Sequence, residues 1–164
     1  MIVADANAIL PLVRQSSFTL LARQAFEKDP AWIVPPLWQP EVLNALLREI
    51  KAGFIDLDGA LEAVRLAEDI FRHQVRHPSP ADILRISRTS GLTAYDATYV
   101  SLARELGVRL LTEDGQILRA CPDTACSLHD FVTPTGTSQL RESVAPYKVK
   151  RAVGASPGRS RKSR

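Results

Sequence analysis

The sequence predicts a three-layer α/β/α protein with a central parallel sheet, and three observations predict it. Short apolar runs (Ile2-Val3-Ala4, Trp32-Ile33-Val34 and residues 108–111) alternate with stretches of helical periodicity, the arrangement that buries a sheet between helices. Within the runs the residues are apolar in succession rather than every second position, as strands covered on both faces require. Two of the runs lead into acids, Asp5 and Asp114, at the edge where open α/β sheets bind ligands.

Taken in order, residues 2–4 form the first strand, and residues 6–13 can turn into a helix after Asp5. Residues 17–28 are a second helical stretch with Leu20, Leu21 and Phe26 on its apolar side. The second strand, 32–34, is stopped by Pro35 and Pro36, because the residue before a proline is driven out of the helical region and proline offers no N–H. A helix over about 40–52, closed by Gly53, carries Leu43, Leu46, Leu47 and Ile50 as its core stripe, with Glu41 and Asn44 on a flank of its first turn. Asp58 is expected to cap the next helix, which runs to about residue 75 with Leu61, Val64, Ala67 and Phe71 inward. Ser79-Pro80 opens a shorter helix through about residue 89, ended by Gly91.

Residues 93–114 then form the central unit: a helix with Asp96 in its first turn, a tight turn at Gly107, and the strand 108–111 leading to Thr112, Glu113 and Asp114. Asp96 shares a helix face with Tyr99, Val100 and Ala103, at spacings that place its carboxylate beside the buried stripe. Residues 116–119 are a helical turn, and Ser127-Leu128 with Phe131-Val132 is the candidate for a last strand. Beyond about Pro134 the composition turns to that of turns and linkers, and a flexible tail is expected there.

A chain of 164 residues is long enough for one domain with one core, and 45% hydrophobic with 24% charged residues fits a soluble globular protein. No run approaches the roughly 18 apolar residues of a membrane helix, and residues 1–15 read as strand and helix rather than a leader; the expected location is the cytoplasm. Cys121 and Cys126 make neither a disulfide framework nor a zinc site and read as small apolar residues. The net charge of +3 conceals a division: seven of the 21 basic residues and none of the 18 acidic ones lie in 145–164, leaving residues 1–144 with 14 against 18. An acidic body does not suggest a protein that holds nucleic acid by charge alone, while a basic tail could add phosphate affinity.

Four acids stand out by position: Asp5 and Asp114 after strands, Glu41 and Asp96 in first helical turns. Each alone has a local explanation as a cap or as a charge favoured at the positive end of a helix. Strand ends and helix starts lie on one rim of a parallel α/β sheet, however, so together the four point to one crevice. Carboxylates gathered there repel unless a cation lies between them, and an all-oxygen donor set suits Mg²⁺ or Mn²⁺ better than zinc. Such ions serve phosphodiester hydrolysis, which expects water attack leaving a 5′-phosphate and a 3′-hydroxyl.

D-A-N at Asp5 to Asn7, P-E-V-L-N-A-L from Pro40 to Leu46, L-T-A-Y-D-A-T-Y-V-S-L-A from Leu92 to Ala103, and L-L-T-E-D from Leu110 to Asp114 resemble the four acidic motifs of PIN-domain proteins. Their order and spacing are similar in particular to the VapC-type toxins of bacterial toxin–antitoxin pairs, over about residues 1–132. The resemblance implies a PIN-like nuclease domain at 1–132; the basic tail at 133–164, read from composition, has no counterpart in the motifs. It implies a Mg²⁺- or Mn²⁺-dependent endoribonuclease with Asp5, Glu41, Asp96 and Asp114 as metal-binding catalytic acids. Asn7 and Thr112 would be supporting polar groups, and Glu113 a further group beside Asp114. The implied partners are an RNA substrate, a small antitoxin that blocks the site and, by the resemblance alone, a second copy of the chain, with no membrane. A different class of reading is a non-catalytic PIN-like module that binds RNA or a basic protein segment through the acidic crevice. A receiver-type phosphotransfer domain is disfavoured, because no adjacent acid pair follows the first strand.

The remaining polar and aromatic residues read blandly. His73 and His77 are four apart but run into Pro78 without a third ligand; His129 stands alone. Trp32 and Trp38 read as core or dimer contacts. Arg48, Lys51, Arg85 and Arg88 are of the kind that solvated helix faces carry, although they could meet an RNA backbone.

Overall fold

A computed structural model describes residues 1–133 of the chain; the tail expected beyond them, including the basic residues 145–164, lies outside the described residues. Four strands form one sheet in the order β2-β1-β3-β4, with β1 at Ile2–Ala4, β2 at Trp32–Ile33, β3 at Leu110–Leu111 and β4 at Ala125–Cys126. Every pairing is parallel: Val3 lies opposite Ile33 on one side and opposite Leu110 on the other, and Leu111 pairs with Cys126. Val34 extends the second strand through a parallel bridge to Val75.

Because successive side chains of a strand point to opposite faces, the short strands feed two separate cores. Ile2, Ala4, Trp32, Val34, Leu111 and Cys126 join the core made with α1 (Ala6–Val13), α2 (Thr19–Lys28), α3 (Trp38–Lys51) and α4 (Leu57–Phe71). Val3, Ile33, Leu110 and Ala125 join the core made with α5 (Pro80–Ser90), α6 (Ala94–Leu106) and α7 (Gly115–Ala120). The three-layer α/β/α architecture is thus present, with the sheet as its middle layer. Trp32 and Trp38 are core residues: Phe26 meets Trp32 edge-on at 5.4 Å, and Phe71 lies 6.4 Å from Trp32 and 5.5 Å from Trp38.

Several helix faces differ from the sequence expectation. The α3 helix begins at Trp38, two residues before the expected start, and its buried stripe is Trp38, Val42 and Leu46, whereas Leu43 and Leu47 are exposed. Once Trp38 belongs to the helix it selects the stripe at i+4 and i+8, since its indole fits the aromatic group under the sheet. On α4 the buried residues are Ala60, Ala63, Ala67 and Phe71, and Leu61 faces out. This helix packs against both α1 and α3, and small residues let three backbones approach. The same logic puts Ala22 and Ala25 of α2 inside and Leu20 outside.

The cap of α4 is Asp56, whose Oδ1 accepts from Gly59 N at 2.8 Å; the expected Asp58 sits in the first turn instead. The helix ends at Phe71, which frees Val75 to bridge to Val34. The expected last strand is a short helix, α8 (Leu128–Val132), and the strand precedes it at Ala125–Cys126. Ser127 decides this locally, because its hydroxyl caps Asp130 N at 3.0 Å and turns the chain out of the sheet.

Candidate functional site

The chain leaves β1 toward β2 on one side and β3 toward β4 on the other, so the sheet divides at its carboxyl edge between β1 and β3. Asp5 follows β1 directly and Thr112 follows β3, and the two close the division. Thr112 Oγ1 donates to Asp5 Oδ2 at 2.6 Å, Asn7 Nδ2 donates to the same oxygen at 3.3 Å, and Asn7 N to Oδ1 at 3.4 Å. Asp5 is only 5% exposed. Burial pushes its carboxyl above the usual carboxylate range, the Thr112 and backbone hydrogen bonds oppose the rise, and the charge of Asp114 adds to it.

Glu41 enters from the first turn of α3 and Asp96 from the first turn of α6. Tyr99, one turn beyond Asp96 and buried, donates its hydroxyl to Glu41 Oε2 at 2.6 Å. Burial raises the Glu41 carboxyl, the Tyr99 hydrogen bond works against that, and the charges of Asp5 and Asp96 reinforce it. Burial, followed by the Glu41 and Asp5 charges, drives the Tyr99 phenol far above its ordinary range, so it remains a donor at physiological pH. Thr93 caps α6 by accepting from Asp96 N at 3.2 Å while its hydroxyl donates to Asp96 Oδ2 at 2.7 Å. Asp114 caps α7 through Oδ1, which accepts from Gln116 N at 2.7 Å and Ile117 N at 3.1 Å.

The local capping roles and the shared crevice are therefore both real. Asp5, Glu41, Asp96 and Asp114 all line one cavity of about 230 Å³, together with Asn7, Asn44, Arg48 and Tyr99. Thr112 is fully buried behind Asp5. Three of the four acids are clamped by a hydroxyl on one oxygen: Asp5 by Thr112, Asp96 by Thr93, Glu41 by Tyr99. Glu41 Oε1, Asp96 Oδ1 and Asp114 Oδ2 carry no hydrogen bond among the described residues. Among those residues no three acidic, histidine or cysteine side chains are grouped tightly enough to hold a metal ion as they stand. The acids ring the cavity, each tied to its own clamp. The donor set is nonetheless all carboxylate oxygen, one acid buried and three half-buried, which fits a hard divalent cation and not a soft one.

The spacing of Tyr99 places it on the core stripe, and no local pattern marks its hydroxyl as part of the site. Asn44 and Arg48 reach the cavity because they follow Glu41 at i+3 and i+7 on one helix face, a spacing that the sequence displays. Glu113 is turned elsewhere: its Oε1 accepts from Leu128 N at 2.7 Å and anchors the start of α8. His73 and His77 are exposed beyond the end of α4, and Arg85 pairs with Asp82 at 2.7 Å. Cys121 and Cys126 are buried and free.

A family model described as PIN domain matches residues 2–121. A protein named Ribonuclease VapC3 from Mycobacterium tuberculosis is 35% identical over 124 residues, 74% of this chain and 88% of that protein. A Ribonuclease VapC3 from Pyrobaculum aerophilum is 30% identical over 125 residues, 74% of this chain and 95% of that protein. In shape, the chain is similar to the crystal structure of PAE2754 from Pyrobaculum aerophilum, with a TM-score of 0.65 and 24% identity over 80% of this chain and 92% of that one.

Proposed function

This chain belongs to the PIN-domain family, and from that premise we propose that it is a metal-dependent endoribonuclease acting as the toxin of a toxin–antitoxin pair. The observation that carries the reading is the single cavity walled by Asp5, Glu41, Asp96 and Asp114. The names of the 30–35% identical relatives support a ribonuclease in particular.

In this reading Asp5 and Asp96 are the central ligands of Mg²⁺ or Mn²⁺, and Glu41 and Asp114 complete the set. Glu41 and Asp96, both half-buried, each keep one oxygen without a hydrogen bond among the described residues that could be offered to the ion. A divalent ion bound there supplies charge neutralisation and a lowered pKa of attacking water. Thr112 and Asn7 donate to Asp5 and partly oppose the rise that burial gives its carboxyl, and Tyr99 donates to Glu41. Arg48, exposed at the rim, faces the RNA backbone and helps to seat a phosphate over an otherwise acidic opening. The site is open to inhibition by a small antitoxin that offers the crevice a cation of its own. No helix among the described residues is long and apolar enough to cross a membrane.

The deciding measurement is cleavage of an RNA pool by the purified chain, freed of antitoxin, in Mg²⁺ or Mn²⁺ and in EDTA. Cleavage that depends on the ion and is lost in Asp96→Asn is the expected result. Equal cleavage in EDTA overturns metal dependence. Binding of RNA or of a basic segment without cleavage under any condition favours a non-catalytic module.

A further inference from the structure

A second cavity, of about 360 Å³, adjoins the acid-lined one and shares Asn7 and Asp114 with it. Its remaining wall is of another character. Leu10 and Pro11 of α1 and Phe18 give it apolar surface, and Arg14 and Glu49 form a half-buried ion pair within it. Phe18 is 41% exposed, so its ring is not spent in the core. Its backbone is nevertheless pinned. Ser16 Oγ accepts from Phe18 N at 3.2 Å, Thr19 Oγ1 accepts from Ser16 N at 2.8 Å, and Phe18 O receives Ala22 N at 2.9 Å. A half-exposed aromatic ring on a fixed backbone, one shared wall away from four carboxylates, is a stacking platform awaiting a flat partner.

The geometry points to this cavity as the subsite for a nucleobase of single-stranded RNA next to the cleaved bond, with Phe18 as the residue it stacks on. The inference rests on the ribonuclease reading of the neighbouring site. Continuity through Asn7 and Asp114 means that a nucleotide whose phosphate lies over the acids presents its base to this side. Charge chooses the base over a phosphate: Glu49, Glu113 and Asp114 outnumber Arg14 in the wall, so an anion is repelled while an uncharged ring is not. Arg14 and Glu49 offer donors and an acceptor to a base edge, and Leu10 and Pro11 exclude water from its other side. Stacking on an aromatic face accepts every base, so Phe18 supplies affinity and the polar pair supplies preference.

The test is a cycle of two changes on the full chain. An oligonucleotide that the protein cleaves is compared with copies carrying an abasic ribose on either side of the cut, using the wild type, Phe18→Ala and Phe18→Tyr. Phe18→Ala is expected to lower kcat/KM on the intact RNA about tenfold. It should have no effect on the abasic copy that lacks the base placed in the cavity, and Phe18→Tyr should restore the rate on the intact RNA. An equal loss on intact and abasic RNA makes Phe18 a structural residue and overturns the subsite. So does a Phe18→Ala protein that cuts RNA normally but binds its antitoxin more weakly, which would make the cavity a protein contact. If the wild type cleaves nothing, the ribonuclease reading fails. The same cycle measured by fluorescence anisotropy of the uncut oligonucleotides then decides whether the cavity holds a base.

Discussion

The two cavities that meet at Asn7 and Asp114 are built from opposite materials on one rim. In the first, four carboxylates face one another and two of them, Asp5 and Glu41, are pushed by burial toward their neutral forms. In the second, an ion pair neutralises itself and most of the surface is apolar. The difference shows how a parallel α/β sheet makes a site. Positions just beyond the strands and in the first turns of the helices are spent on charge that a cation can settle, and positions further along α1 are spent on shape. Substitutions on the first side should therefore be read in metal affinity and rate, and substitutions on the second in substrate affinity.

The sharpest break is Asp96→Asn, which keeps the fold and should lower RNA cleavage on the order of 10³-fold, about 4 kcal/mol in the barrier, measured as kcat/KM at saturating Mn²⁺. Next is Thr112→Val. This removes the buried hydroxyl from Asp5 and should cost about 1–3 kcal/mol in urea unfolding, because a buried carboxylate loses its donor. Asp5 also has a signature in pH. A carboxyl whose folded pKa is raised contributes stability that is fully present below its unfolded pKa and is lost as pH rises through the folded one. The metal-free wild type should accordingly lose stability as pH rises above the ordinary carboxylate range. Asp5→Asn should flatten that loss, and Mn²⁺ should reverse it.

Tyr99→Phe is a smaller change, since it deletes one oxygen and leaves the core filled. It should weaken Mn²⁺ binding about 10–100-fold by calorimetry while the melting temperature of the metal-free protein moves little. The smallest effect belongs to the second cavity: Arg14→Ala should cost about 1 kcal/mol of stability by leaving Glu49 half-buried without its partner, and should leave Mn²⁺ affinity untouched. A change in Mn²⁺ affinity there would erase the distinction between the two sides.

The layers, the first three strands along the chain and the positions of the four acids were legible in the sequence because each depends on near neighbours. An apolar triplet followed by an acid, a proline pair, or a threonine three residues before an aspartate all act within one turn of chain. What sequence reading missed lies at greater range. Val42 and Leu43 are equally apolar neighbours on α3, and only Trp38 meeting Phe71 decided which would be buried. The end of the sheet was read two residues late because Ser127 caps a helix as readily as it begins a strand.

The sequence alone determined that acids would stand at the ends of strands and the starts of helices, since capping and periodicity are local. The tertiary structure alone decided what holds each acid. Asp5 is clamped by a threonine 107 residues away and Glu41 by a tyrosine 58 residues away. No local pattern encodes such pairs, because they form only when packing of the two cores against the sheet brings their elements to one edge. It is there, where burial removes water, that a single hydroxyl counts.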